Sequence, residues 1–318
     1  MPKYCLVILL ICLTLSCKNQ NDSSDNTLRI ASLKGPSAIT LLHMMDQVKE
    51  LDNHEINYQI LSEPNQVRSL LIQEKIDLAL IPTNMGAILY NKDVPYKLAM
   101  ITGWGNLFLC GQDQSISTIS DLKGKRIYSM ARGLSPDITL RFLITEAGLT
   151  PDQDVIIDYS FPTHIDLANA VRANRAPLAI LPEPFLSMVI LDNTSIGTLI
   201  NLNEIWEEAT GNGLPLTALM VHNSLISRPD LLNQILEQIT ISGNKATSEL
   251  TKTAKLGVQY KILPTEEALI LSIPRSGINP LRGEKMVKAV NSYLEVFYSF
   301  NPKSVGGEIP DENFFFAK

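Results

Sequence analysis

The amino-acid sequence predicts an α/β protein of two similar lobes, each a mostly parallel sheet flanked by helices, the two joined by a pair of crossover strands. Three observations carry this. A βα unit occurs twice: Arg29-Ile-Ala-Ser32 and Arg126-Ile-Tyr-Ser129 each open a strand, and the helices that follow begin Ile39-Thr-Leu41 and Ile138-Thr-Leu140. A second echo lies downstream at nearly the same separation, Ile76-Asp-Leu-Ala-Leu-Ile-Pro-Thr-Asn84 against Ala176-Pro-Leu-Ala-Ile-Leu-Pro-Glu-Pro184. Two turn-rich segments, Gly103-Trp-Gly-Asn106 and Gly211-Asn-Gly-Leu-Pro-Leu-Thr217, supply the crossovers. Repeated units of this kind suggest equivalent loops presented toward one another.

The elements follow in order. Residues 28–33 read as a strand, and 36–50 as a helix with Ile39, Leu42, Met45 and Val48 at helical spacing. A strand over 56–61 leads to a helix ending at Gln73, with Ser62 as its expected cap and Pro64 in its first turn. Leu78 to Ile81 is short and continuously apolar, as a strand buried on both faces should be. A strand over 96–102 and another ending at Cys110 surround the first crossover. The second lobe repeats the plan: a strand over 126–129, a helix to Ala147, a strand over 155–159, a helix behind a Thr163 cap, a strand over 178–181, a helix from Glu183 and a strand over 198–202. The second crossover returns at 218–222. Residues 229–255 and 284–300 then read as long helices, and the aromatic tail is expected to dock back. The organisation is a first lobe of residues 27–102 and 218–318 and a second of 103–217.

The loop before the second-lobe helix is the most informative local feature. Gly133 permits backbone angles that other residues resist, Ser135 is a candidate cap, Pro136 suits a first helical turn, and Asp137 complements the helix dipole. A strand feeding a glycine loop at a helix N-terminus leaves backbone N–H groups pointing outward, a small polar-ligand site in outline.

A chain of 318 residues with 45% hydrophobic and 19% charged residues can build two cores. Its net charge of -6 and the lack of a basic stripe give no footing for nucleic-acid binding. The N-terminus differs: a positive flank precedes an apolar run over 5–16, too short for the roughly 20 residues of a membrane span. Residues 1–16 read as an export signal, Cys17 as a lipidated cysteine, and the polar stretch to residue 26 as a tether. Of 4 cysteines only Cys110 then remains in the folded body, so no internal disulfide is expected. The 4 histidines are scattered, which supports no metal site, and no cofactor is expected.

The run Thr14-Leu-Ser-Cys17 resembles a bacterial lipobox. Together with Asp77-Leu-Ala-Leu-Ile-Pro-Thr-Asn84, Thr102-Gly-Trp-Gly105, Asp121-Leu-Lys-Gly-Lys-Arg126 and Asn301-Pro-Lys-Ser-Val-Gly-Gly307, it makes the chain similar to the solute-binding lipoproteins of ABC importers. The group in question binds nitrate, sulfonate, taurine or thiamine precursors on the two-lobed type II periplasmic-binding-protein fold. That resemblance implies an extracytoplasmic, membrane-anchored protein that captures a small organic ligand (a sulfonate, an amine or a heterocyclic vitamin precursor) and passes it to a permease driven by an ATPase. Carried over by position, ligand contacts are expected from Gly35, Pro36, Ser37, Thr83, Asn84, Trp104, Gly133, Ser135, Asp137, Glu183 and Thr217.

Each has a plainer reading. Ser37 and Ser135 also suit helix caps, Asp137 favours its own helix, Arg132 suits solvent, and Trp104 is either a core residue or a stacking wall. Glu183 between Pro182 and Pro184 is either a cap for its own helix or a carboxylate facing the cleft, where it would favour an amine or a heterocycle over a simple oxyanion. An enzyme of the same fold, of the menaquinone or thiamine-pyrimidine biosynthesis type, is the alternative. Against it, Gly133-Leu-Ser-Pro-Asp137 lacks the second glycine of a nucleophile elbow and has no histidine placed as a base, so no catalytic residue is expected.

Overall fold

The computed structural model describes residues 26–316. The expected export signal, Cys17 and all of the tether before Asn26 lie outside the described residues. The first half of the chain forms β1 (Thr27–Leu33), α1 (Pro36–Gln47), β2 (Glu50–Leu51), β3 (His54–Leu61), α2 (Pro64–Ile72), β4 (Leu78–Pro82), α3 (Thr83–Tyr90) and β5 (Tyr96–Trp104). The middle forms β6 (Leu107–Gly111), β7 (Arg126–Tyr128), α4 (Ser135–Glu146), β8 (Ile156–Asp158), α5 (His164–Arg172), β9 (Leu178–Pro182), α6 (Phe185–Asp192), β10 (Gly197–Asn201) and α7 (Leu202–Thr210). The chain returns through β11 (Pro215–His222) and ends in α8 (Asn223–Ile226), α9 (Pro229–Ser248), α10 (Leu250–Gln259), α11 (Glu266–Ser272), β12 (Ile278–Leu281) and α12 (Glu284–Phe300).

These strands make two sheets, one ordered β12-β5-β11-β4-β1-β3-β2 and the other β10-β6-β9-β7-β8. The echoed apolar runs occupy β4 and β9, where every residue from Leu78 to Ile81 and from Leu178 to Leu181 is buried. Helices on both faces of a sheet remove the need for alternation, which is why these strands read as continuous apolar runs.

Both sheets are mixed. β1 runs parallel to β3 and β4, and β7 runs parallel to β8 and β9. β11 runs antiparallel to β4 and β5, and β6 antiparallel to β9 and β10. The crossovers are the cause. A strand that enters a sheet from the C-terminal edge of its parallel members must run against them, and β6 and β11 both do so. The parallel sheets that the βα repeats predict are therefore three-stranded centres, extended by crossover strands. The ladder of the first sheet continues to Trp104 and resumes at Pro215, beyond the residues 102 and 218 at which composition placed the lobe boundaries.

Three local expectations are corrected. The expected single helix over 229–255 is broken at Glu249, whose φ of -109° and ψ of 50° end α9 and begin α10. The break lets α9 pack on α1 while α10 turns onto α11. The α2 cap is Glu63 rather than Ser62. Ser135 lies inside α4, whose N-cap is Leu134, and makes no cap hydrogen bond. The aromatic tail does dock: Phe314 is fully buried, and Phe316 N–H donates to the Leu98 carbonyl at 2.8 Å.

Close backbone approach fixes the crossover. Trp104 N–H donates to the Gly277 carbonyl at 2.8 Å, and Gly277, at φ +61°, has room for no side chain, since an added Cβ would lie 2.3 Å from the Trp104 oxygen. Gly277→Ala is expected to lower stability by about 1–3 kcal/mol, from strain and overpacking together. Urea unfolding checks this, and an unchanged midpoint would contradict the tight approach.

Candidate functional site

The direction of the crossover places the site. β5 leaves the first sheet level with the C-terminal end of β4, from which β11 separates it, and after Gly105-Asn106 β6 begins beside the C-terminal end of β9, with Leu107 opposite Pro182. The C-terminal edges of the two parallel centres therefore face each other. Helices follow each strand of these centres, among them α1 and α3 on one side and α4 and α6 on the other, and begin at the facing edges.

On the first lobe, Gly35 is the N-cap of α1 at φ 108°, a conformation that suits glycine, and Pro36 opens the helix. Ser37 Oγ stands 3.4 Å from Thr217 Oγ1, which joins the first turn of α1 to the returning strand β11. Gly103 makes room for this pair, since a Cβ there would lie 2.9 Å from Thr217 Oγ1. Thr83, at the first position of α3, is fully buried, and its Oγ1 has no hydrogen-bond partner. Such an orphaned hydroxyl costs free energy unless something meets it. Neither α1 nor α3 has a side-chain cap or an acidic residue in its first turn, so both N-termini present uncompensated positive ends.

On the second lobe the loop is organised by Asp137. Its Oδ2 accepts from Gly133 N–H at 2.6 Å, and its Oδ1 accepts from Arg141 Nε at 2.8 Å and from the Tyr159 hydroxyl. Burial, with the hydrogen bond to Asp137, pushes the Tyr159 phenol well above its usual range and keeps it a donor. Arg132 lies over the Tyr159 ring, its Cζ 5.2 Å from the centroid. Ser135 Oγ is 3.0 Å from the Tyr293 hydroxyl of α12, and Leu134 at the tip of the loop is 52% exposed. The loop thus exposes an apolar tip, with its carboxylate drawn inward.

Three candidate residues are engaged by the protein itself. Asn84 Nδ2 donates to the Ser304 carbonyl at 3.2 Å, toward the C-terminal segment. Trp104 Nε1 donates to the Asn279 carbonyl at 2.7 Å, and its ring packs on Gly213 beside a cavity of ≈ 620 Å³ on the α7 and α12 side of the crossover. Glu183 is 2% exposed: its Oε2 accepts from Ser187 N–H at 3.0 Å, and its Oε1 lies 2.9 Å from Arg275 Nε. Burial pushes its carboxyl up, opposed by Arg275 and Ser187. Sequence reasoning missed Arg275, along with the Arg141–Tyr159 support of Asp137. The available signal was a lone arginine in the Pro274-Arg-Ser-Gly277 turn between apolar runs.

The histidines are engaged away from the cleft hydroxyls. His43 contacts Thr253, His54 meets Arg228, His164 stacks on Phe185, and His222 meets Ser224 and Glu74. What the arrangement offers a small molecule is hydroxyls and helix N-termini, which are hydrogen-bond donors for an acceptor-rich group.

Solved structures share this architecture. An ABC transporter protein from Parabacteroides distasonis superposes with a TM-score of 0.82 and 26% identity, over 92% of this chain and 100% of its own. The periplasmic aliphatic sulphonate binding protein SsuA from Escherichia coli gives 0.74 and 15% over 93% of each chain. The periplasmic nitrate-binding protein NrtA from Synechocystis PCC 6803 gives 0.59 and 11%, over 83% of this chain and 75% of its own. No protein-family model and no curated protein matches the sequence. The chain has the two-lobed fold of the periplasmic solute-binding proteins of ABC transporters, of the sulfonate and nitrate type.

Asp137 is the residue on which the second-lobe loop hangs. Asp137→Asn is expected to cost about 3 kcal/mol, because it breaks a buried ion pair and weakens the hold on Gly133. Denaturant unfolding measures it, and a loss below about 1 kcal/mol, the worth of an exposed pair, would contradict this role.

Proposed function

We propose that the protein is an extracytoplasmic solute-binding protein: it captures a small organic molecule between its lobes and delivers it to an ABC importer, consisting of a permease and an ATPase. One observation carries this reading. The N-termini of α1 and α3 are uncapped and have the hydroxyls of Ser37, Thr83 and Thr217 beside them, at the sheet edge from which the crossover leads to the second lobe. A ligand that touches both lobes favours their approach by its differential affinity for the closed form. The donors suit a sulfonate or carboxylate group, and the exposed Leu134 suits an apolar remainder. The solved relatives that bind aliphatic sulphonate or nitrate support a ligand with an acceptor-rich head. The same reading makes the protein a binder rather than an enzyme of this fold, as its structural neighbours are.

Membrane attachment is part of the proposal and rests on Thr14-Leu-Ser-Cys17. Two or more acyl chains at Cys17 would hold the folded body at a membrane surface. Cys17→Ala is expected to move the protein from the membrane to the soluble fraction on cell fractionation, and an unchanged distribution would remove the anchor.

A melting screen over sulfonates, organic acids, amino acids, pyrimidines and flavins tests the binding role. The true ligand should stabilise the fold by about 2.7 kcal/mol at a hundredfold excess over its dissociation constant. For the compound so found, Thr83→Val, which keeps the shape and removes the hydroxyl, should weaken binding about tenfold, the worth of one hydrogen bond in a dry site. Unchanged affinity would place the ligand elsewhere.

A further inference from the structure

Among the helices that begin at the facing edges, α6 has its N-terminus filled by an anion of the protein that a cation of the opposite lobe covers. At α6 the carboxylate of Glu183, from the residue before the N-cap Pro184, folds back onto the first turn and accepts from Ser187 N–H at 3.0 Å. Ser187 Oγ beside it is fully buried and has no partner. Arg275 completes the enclosure from the other lobe. Its Nε lies 2.9 Å from Glu183 Oε1, its Nη2 donates to Thr198 Oγ1 at 2.6 Å, and its guanidinium stands 4.7 Å over the Phe108 ring. The Nε contact is an ion pair outside hydrogen-bond alignment, which leaves Oε1 without a hydrogen bond. A backbone N–H and a guanidinium thus converge on a single carboxylate, with an unpartnered buried hydroxyl on the residue that supplies the N–H. This is the donor set that elsewhere receives a ligand's anion.

We propose that Glu183 is a built-in anion: its carboxylate occupies the anion position at the α6 N-terminus, Arg275 of the opposite lobe closes over it, and the pair restricts the ligand to one anionic group seated on the first lobe. The inference rests on the solute-binding reading and sharpens its specificity. Facing a free cleft, Glu183 would attract amines; neutralised and covered by Arg275, it attracts nothing, and it denies a second anion the guanidinium that reaches this position. The same pair ties the lobes together, since Arg275 of the first lobe meets both Glu183 and Thr198 of the second, and Glu183 N–H, which donates to the Asn106 carbonyl at 3.0 Å, sets the tie beside the crossover.

Removing the carboxylate should open the position it fills. With inorganic sulfate as the probe and ionic strength held constant, Glu183→Ala is expected to show a saturable rise in melting temperature beyond any that the wild type shows. The additional rise should be about 2–4 °C at a tenfold excess over the dissociation constant. Adding Arg275→Met to the same variant should abolish it. A response equal to that of the wild type, or one that survives the loss of Arg275, overturns the proposal. Should Glu183→Ala fail to fold, Glu183→Gln fills the same space, and a double-mutant cycle with Arg275→Met reads the pair directly. Non-additive destabilisation supports the pair and additive destabilisation overturns it. Neither readout depends on the organic ligand. A Thr83-dependent hit without the sulfate gain sinks only the built-in anion, and the sulfate gain without any organic hit sinks only the solute-binding reading.

Discussion

The fold depends on one directional constraint. Gly105-Asn106 is too short to let the chain turn round between sheets, so β6 must start at the edge where β5 stopped. That forces β6 to run against β9 and brings the C-terminal edges of two parallel centres face to face. The glycines around this point are there for space. Gly105 lies so close to Asn203 that an added Cβ would stand 2.2 Å from its side chain, and Gly277 lies against the Trp104 carbonyl. From this follows a cleft whose walls are helix N-termini, because each strand of the two parallel centres ends at those edges and is followed by a helix.

How each N-terminus is treated then decides the chemistry. Those of α1 and α3 are left open, with hydroxyls beside them. At α4 an acid drawn inward by Arg141 and Tyr159 tames the N-terminus, which keeps the loop in shape and leaves Leu134 outward. At α6 the protein supplies both an anion and a counter-cation from the opposite lobe. The unpartnered hydroxyl of Thr83 and the uncapped N-termini of α1 and α3 thus lie on the first lobe, while the acids of the second, Asp137 and Glu183, are held by the protein's own groups.

Much of this was legible in the residues. The paired Arg-Ile-x-Ser openings and the two buried apolar runs located β1, β4, β7 and β9, because both lobes use the same unit and strands buried on both faces leave an unmistakable pattern. The segment from α11 to β12 was not legible. β12 has two Cα partners on β5, and Arg275 finds Glu183 only through the tertiary fold, so neither leaves a periodic trace. For Asp137 the helix-dipole argument identified the right element, while the side chain is held by Gly133, by Arg141 one turn on and by Tyr159, the last of which no local rule connects to it. Glu183 likewise sits where the repeat placed it, yet the charge it would show a ligand is cancelled by a residue far along the chain.

Backbone hydrogen exchange with the organic ligand bound tests the central claim most directly, because it reads each helix N-terminus separately. The account predicts slowed exchange at the first-turn amides of α1 and α3, and in the α4 loop of the facing lobe, with Ser187 of α6 unchanged. Protection confined to one lobe, or centred on Ser187, would contradict it.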